Sequence, residues 1–241
     1  MVLKKLLIAL TCFLISLTIL SYISSEIFLS FTEKNFIKSI VDKQLKENLK
    51  KEDVEMIIKA CEINPSFSFS VHQINFSCSE FIGKNYSEII NYLSNKIVNE
   101  FYEREIECEI IECLQSGKFD VILSKQGNIF FEKLKTFSFY ASILLALFLL
   151  FFTKSFVSWS RKLGYSLLFT ALPLYAFNFA LPKTLENITP EEIKEFIPII
   201  IEKLYYSNEL LLVLSILGFL LIIISYIIEE IKKRKVKAQE L

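Results

Sequence analysis

Cys108 and Cys113 stand five positions apart in the run Glu107-Cys108-Glu109-Ile110-Ile111-Glu112-Cys113. Thiols at such spacing serve one of two chemistries: they oxidise to a disulfide, or their thiolates take a metal ion. Cys61 and Cys78 belong to the same polar segment. Four cysteines allow three pairings, and local spacing favours Cys61–Cys78 and Cys108–Cys113. In a continuous helix, positions five apart point away from each other, so the second bridge requires a break in the helix. Structural zinc usually presents two close pairs of ligands. Cys108 and Cys113 fit that window; Cys61 and Cys78 do not. Disulfides are therefore the expectation for all four, with no metal and no cofactor. Cys12 lies inside an apolar run and is read as a packing residue.

Carboxylates surround the pair: Glu103, Glu105, Glu107, Glu109 and Glu112. Paired carboxylates bind calcium or do acid–base work. Here Arg104 interleaves and no Asp-x-Asp-x-Asp-Gly loop is present, so a solvated acidic rim is the favoured reading. His72 is the single histidine. Alone it builds neither a triad nor a zinc site, and it reads as an ordinary polar residue of a loop or strand. Glycine-rich phosphate loops are absent; the chain has five glycines in all. No catalytic residues are assigned, and the chain is expected not to be an enzyme.

The elements that must position these residues are set by hydropathy. Hydrophobic residues make up 53% of the 241 positions and mean hydropathy is +0.44. The excess is concentrated in four apolar runs, at about 6–29, 137–153, 163–181 and 210–228. At about 1.5 Å per residue, some twenty residues cross the ~30 Å hydrocarbon core. No Asp, Glu, Lys, Arg or His interrupts the centres of these runs, which argues against an ion-coupled transporter. Asn178, near the end of the third run, is read as a packing amide. Pro173 should kink that helix, with Ser166 or Thr170 meeting the freed carbonyl, and Pro182 should end it. The expected fold class is an all-α integral membrane protein. Four transmembrane helices flank a mainly helical, disulfide-stapled extracytoplasmic domain placed between helices one and two.

The domain reading is 1–29 as an N-terminal transmembrane helix, 30–136 as the extracytoplasmic domain, and 137–241 as a three-helix membrane domain. A cleaved signal peptide competes for the first run, since Lys4-Lys5 before an apolar core also fits one. In the polar segment, Phe36, Ile37, Ile40, Val41, Leu45 and Leu49 mark one helical face, and Val54, Ile57, Ile58 and Cys61 a second. Residues 66–71 alternate as a short strand or extended loop. Asn85-Tyr86-Ser87-Glu88 opens a helix whose buried face is Ile89, Ile90, Leu93, Ile97, Val98 and Phe101. Val121 to Leu123 reads as strand-like, and a helix from about Ile129 leads into the second run. Thr189-Pro190-Glu191-Glu192 opens an amphipathic helix at 190–205.

Orientation follows from the basic residues. Lys4 and Lys5, then Lys154, Arg161 and Lys162, then Lys232 to Lys237 flank alternate ends of the four runs, and such ends belong inside. The expected location is the cell membrane, multi-pass, with both termini cytoplasmic and residues 30–136 and 183–208 outside. Sequons at Asn75, Asn85 and Asn187 then face the glycosylating side. The basic tail reads first as a cytoplasmic anchor, with anionic lipid as a secondary partner. Formal net charge is zero, so no global field recruits nucleic acid. The bilayer itself and a protein partner held by the outer domain are the expected partners.

One span, a large outer domain and then three spans resemble, in order, the permeases of the FtsX and MacB type. That likeness implies a membrane subunit coupled to a cytoplasmic ATPase. Residues 154–162 are short for the coupling helix such permeases use. Four spans with a large first outer loop are also similar to claudins, but their tryptophan-containing signature is missing: the single tryptophan, Trp159, is on the inner side. The function expected is a non-enzymatic cell-envelope protein whose outer domain binds, organises or senses a partner. A transport or force-transmitting subunit and a membrane enzyme using outer carboxylates are the alternatives.

Overall fold

A computed structural model describes residues 2–71, 74–104, 106–153, 155–188 and 197–239. The chain forms two compact units, one from residues 1–28 and 131–241, the other from Leu29–Phe130. The helices are α1 (Val2–Thr32), α2 (Lys34–Asn48), α3 (Lys51–Ile63), α4 (Tyr86–Tyr102), α5 (Ile110–Gln115), α6 (Lys125–Thr153), α7 (Phe156–Ile188) and α8 (Ile197–Gln239). Strands β1 (Ser68–Val71) and β2 (Ile74–Ser77) make one antiparallel pair, with Phe69 opposite Phe76. Short 3-10 turns lie at Cys78–Glu80 and Phe119–Leu123.

Among the described residues, four helical segments are long and apolar enough to cross a membrane: Val2–Thr32, Lys125–Thr153, Phe156–Leu181 and Ser207–Lys235. The chain is thus a multi-pass membrane protein. Its large apolar side chains, such as Phe13, Leu144, Phe151, Phe169, Phe179 and Val213, are exposed on this unit, as acyl chains require. Small and hydroxyl side chains face the helix contacts instead. Lipid tails are as apolar as leucine, so helices associate in a bilayer through close packing and hydrogen bonds rather than through burial from water. Ser138 Oγ donates to Ser21 Oγ (3.0 Å), Ser166 Oγ to the Cys12 carbonyl (3.5 Å), and Ser160 Oγ to the Leu221 carbonyl (2.9 Å). A core of Ile15, Ile19, Ile23, Leu149, Leu167, Ala171 and Leu211 fills the space between.

The pairings fix direction. Phe28 stacks on Phe131 at 4.7 Å, Glu26 pairs with Lys135, and Tyr22 meets Phe139, so α1 and α6 run antiparallel. The Trp159 indole donates to the Ala146 carbonyl (2.7 Å), folding α7 back on α6. Gly164 faces Gly218, Arg161 pairs with Glu229, and Asn178 donates to Ser207 Oγ (2.9 Å), so α7 and α8 are antiparallel too. One end of the unit therefore collects Lys4, Lys5, Arg161, Lys162 and Lys232 to Lys235. The chain departs after Phe28 and returns at Phe131 at the other end.

The unit Leu29–Phe130 has its own core. Val54 and Cys61 of α3, Phe76 of β2, Cys78, Phe81 and Ile89 of α4 are buried together. Ile37 of α2 meets Val98 and Tyr102 of α4 in a smaller cluster. The two stripes read from α2 and α3 supply these contacts. On α4 the last buried position is Tyr102, while Phe101 is 39% exposed. α4 begins at a capping box: Asn85 Oδ1 accepts from the Glu88 N–H and Glu88 Oε2 accepts from the Asn85 N–H, which satisfies two of the donors a helix start leaves open.

Several expectations change. Val121 to Leu123 is a 3-10 turn rather than a strand, because Ser124 closes it by donating to the Val121 carbonyl (2.7 Å) and no strand among the described residues pairs with it. Ser124 Oγ also accepts from the Gly127 N–H, so α6 begins at Lys125 and not near Ile129. Pro182 does not end the third helix, which continues to Ile188; proline keeps helical φ and costs one donor. Neither Ser166 nor Thr170 meets the carbonyl that Pro173 frees. Ser166 bonds to Cys12, and Thr170 bonds to the Ser166 carbonyl. Of the segment expected as a separate helix at 190–205, residues 190–196 lie outside the described residues, and from Ile197 the chain is already in α8, continuous with the fourth span. The second compact unit spans Leu29–Phe130, and Phe131 and Lys135 are engaged with Phe28 and Glu26 of α1.

Candidate functional site

The four cysteines of the polar segment come together as two pairs at disulfide distance. Cys61 at the end of α3 meets Cys78 at the start of the 3-10 turn, with Cα atoms 4.8 Å apart, and Cys108 meets Cys113 at 5.6 Å. The break that the second bridge needs is present: α4 ends at Tyr102 and α5 begins at Ile110. Cys113 and Val121 are fully buried. Cys12 is a free thiol on α1.

The acidic rim is open to solvent. Glu107, Glu109 and Glu112 are exposed, and Glu105 and His72 lie outside the described residues. Glu103 is different. It follows the last residue of α4 and receives Lys34 of α2 (3.0 Å) and Lys125 of α6 (3.2 Å), which hold its carboxyl below the usual range, Lys34 first. Among the described residues no group of three or more His, Cys, Asp or Glu is placed to hold a metal ion.

A polar cluster that the sequence reading passed over lies beside the buried core. Glu80 Oε2 accepts from the Ser77 N–H (3.0 Å) and from Lys96 Nζ (3.1 Å), and Lys96 also donates to the Tyr92 hydroxyl (3.1 Å). The Tyr92 hydroxyl, the Ser77 N–H and Lys96 together hold the Glu80 carboxyl down at about 2. Burial and the adjacent Glu80 push Tyr92 up. For Lys96, burial works in the opposite sense, but its bonds to Tyr92 and Glu80 outweigh it and raise the ammonium. Lys96 further sits 5.0 Å from the Phe76 ring centroid, and Lys84 4.1 Å from that of Tyr92. All three groups keep one protonation state through neutral pH. That suits a fastener, whereas general acid–base catalysis needs a group that titrates near the working pH. The signals were in the chain: Ser77-x-x-Glu80 is a capping-box spacing, and Tyr92 and Lys96 are one helical turn apart.

An open groove of about 720 Å³ is lined by Lys34, Ile74, Ile97, Asn99, Glu100, Phe101, Glu103 and Arg104. It sets an exposed aromatic ring and an aliphatic floor among charges of both signs. The sequons divide: Asn75 and Asn85 are exposed, the latter occupied as a helix cap through Oδ1, and the Asn187 side chain is outside the described residues. Asn178 is buried and bonded to Ser207 between α7 and α8, a packing contact. No family model, curated protein or solved structure matches this chain.

Proposed function

We propose that this chain is a cell-envelope membrane protein that holds residues 29–130 on the extracytoplasmic side and uses that unit to bind a protein partner. The observation that carries the reading is the gathering of basic side chains at one end of the membrane unit, with the chain leaving for residues 29–130 at the other. Basic ends stay cytoplasmic. Two cysteine pairs at disulfide distance in the same unit suit an oxidising compartment. The groove around Phe101 and Arg104 mixes an exposed aromatic ring with arginine, the residue types enriched where proteins meet. α6 ends at Thr153 and α7 begins at Phe156. So short a link leaves little room for an ATPase-coupling element and favours binding over force transmission.

Protease added to intact cells tests the orientation: cleavage within residues 29–130 with the tail protected is expected, and the reverse pattern overturns it. A photo-crosslinking residue at Phe101 should capture a partner that one at Ile63, which is 86% exposed, does not. The same adducts from both positions would remove the groove as the binding face.

A further inference from the structure

At the basic end of the membrane unit a second groove opens between the start of α7 and the last turns of α8. It has a volume of about 500 Å³ and is lined by Ser155, Ser158, Arg161, Lys162, Tyr165 and Lys232, with Val157 and Glu229. Glu229 is the one carboxylate among these lining residues, and it is already matched: Arg161 pairs with it, and Lys233 reaches it at 3.4 Å. Arg161 is further fixed by Ser225 Oγ (3.3 Å) and by the Tyr226 ring, 4.3 Å away. Lys162 and Lys232 have no carboxylate partner among the described residues, and they face the groove from two different helices. Two unmatched cations and two serine hydroxyls around a cleft make a receptor for a phosphate group. With the spans of α7 and α8 crossing the bilayer, as the proposed function has them, the cleft at their basic ends falls at the depth of the lipid headgroups. Basic pockets between transmembrane helices are suited to acidic headgroups.

We propose that this α7–α8 groove binds the phosphodiester headgroup of an anionic phospholipid, with Lys162 and Lys232 as its two cationic contacts. It is a defined site, distinct from a diffuse attraction of the basic tail. The apolar flank of the spans receives the acyl chains, so a free phosphate lacks half of the recognised surface.

The test is titration of the full chain, in neutral detergent, with short-chain phosphatidylglycerol, phosphatidylcholine and glycerol phosphate, read by native mass spectrometry. Phosphatidylglycerol should bind most tightly. K162Q/K232Q should weaken it by about five-fold for each lysine removed. K4Q/K5Q removes the same charge at the same end of the unit and should leave binding within about two-fold. K162R/K232R keeps the charge and should restore most of the affinity, which separates loss of the site from loss of the fold. Equal weakening by K162Q/K232Q and K4Q/K5Q would overturn the proposal in favour of a diffuse field. Glycerol phosphate binding as tightly as the lipid would overturn the lipid assignment, and no preference over phosphatidylcholine would remove the site.

Discussion

Removing the Cys61–Cys78 bond should loosen the 29–130 unit more than removing Cys108–Cys113. The two bonds close loops of unequal size, with sequence separations of 17 and 5. In the chain-entropy account a cross-link restricts the unfolded chain by a term that grows with the logarithm of loop length. The larger loop corresponds to about 3 kcal/mol and the smaller to about 2 kcal/mol. The surroundings sharpen the contrast. Cys61 and Cys78 are 1% and 2% exposed and sit among Val54, Phe76, Phe81 and Ile89, so their loss reaches α3, β2 and α4 together. The assay is amide hydrogen exchange on the full chain in detergent, comparing wild type with C61A/C78A and C108A/C113A. A loss of about 3 kcal/mol raises the opening constant by about 150-fold. That change should appear in peptides from 51–63, 74–81 and 86–102 of the first variant. In the second variant the change should be about 30-fold and confined to residues 106–123. Equal protection in wild type and C61A/C78A would refute the reasoning, as would a larger effect from the five-residue loop. Free thiols at all four positions in unreduced mass spectra would remove its premise.

Gly164→Ala and Gly218→Ala should each lower the thermal unfolding temperature of the membrane unit. A Cβ at 164 would lie 2.7 Å from the Gly218 carbonyl oxygen, and one at 218 would lie 2.8 Å from that of Gly164, so the helices must move apart at about 1–3 kcal/mol; an unchanged melting curve in detergent would contradict the close crossing. Acid should weaken the 29–130 unit through Glu80. Its folded carboxyl titrates at about 2, below the unfolded group, so its contribution is complete above the ordinary value of 4.5 and is lost as pH falls toward 2. Exchange measured across that window should be steeper for wild type than for Glu80→Gln, and parallel profiles would count against the Tyr92–Ser77–Lys96 cradle. Asn85→Ala should cost about 1 kcal/mol through the lost cap, seen as faster exchange in the first turn of α4, with later turns little changed.

The long-range features were legible where local chemistry decides them. Apolar length alone yields four spans, because the bilayer thickness sets a minimum run. The stripes on α2 and α3 and the cap at Asn85 follow from helical periodicity and from backbone donors that must find acceptors. The pairing of Cys61 with Cys78 and of Cys108 with Cys113 was readable from short separation. The Glu80 cluster was harder to see, since its three members come from a 3-10 turn and two successive turns of α4, and no single spacing joins them. Strand β2 escaped notice because Ile74 to Ser77 alternates over four residues only, whereas the alternation around β1 runs from Ser66 to Val71.

What sequence by itself determined is therefore the number of membrane-crossing helices and the faces of the short helices between them. Hydropathy and helical period act over one element at a time. Tertiary structure decided which helix ends come together, that α8 runs unbroken from Ile197, and that Gly164 lies against Gly218. It also decided that Lys162 and Lys232, seventy positions apart, line one groove. These depend on contacts between distant segments, in which each residue's role is set by the partner it meets and not by its neighbours along the chain.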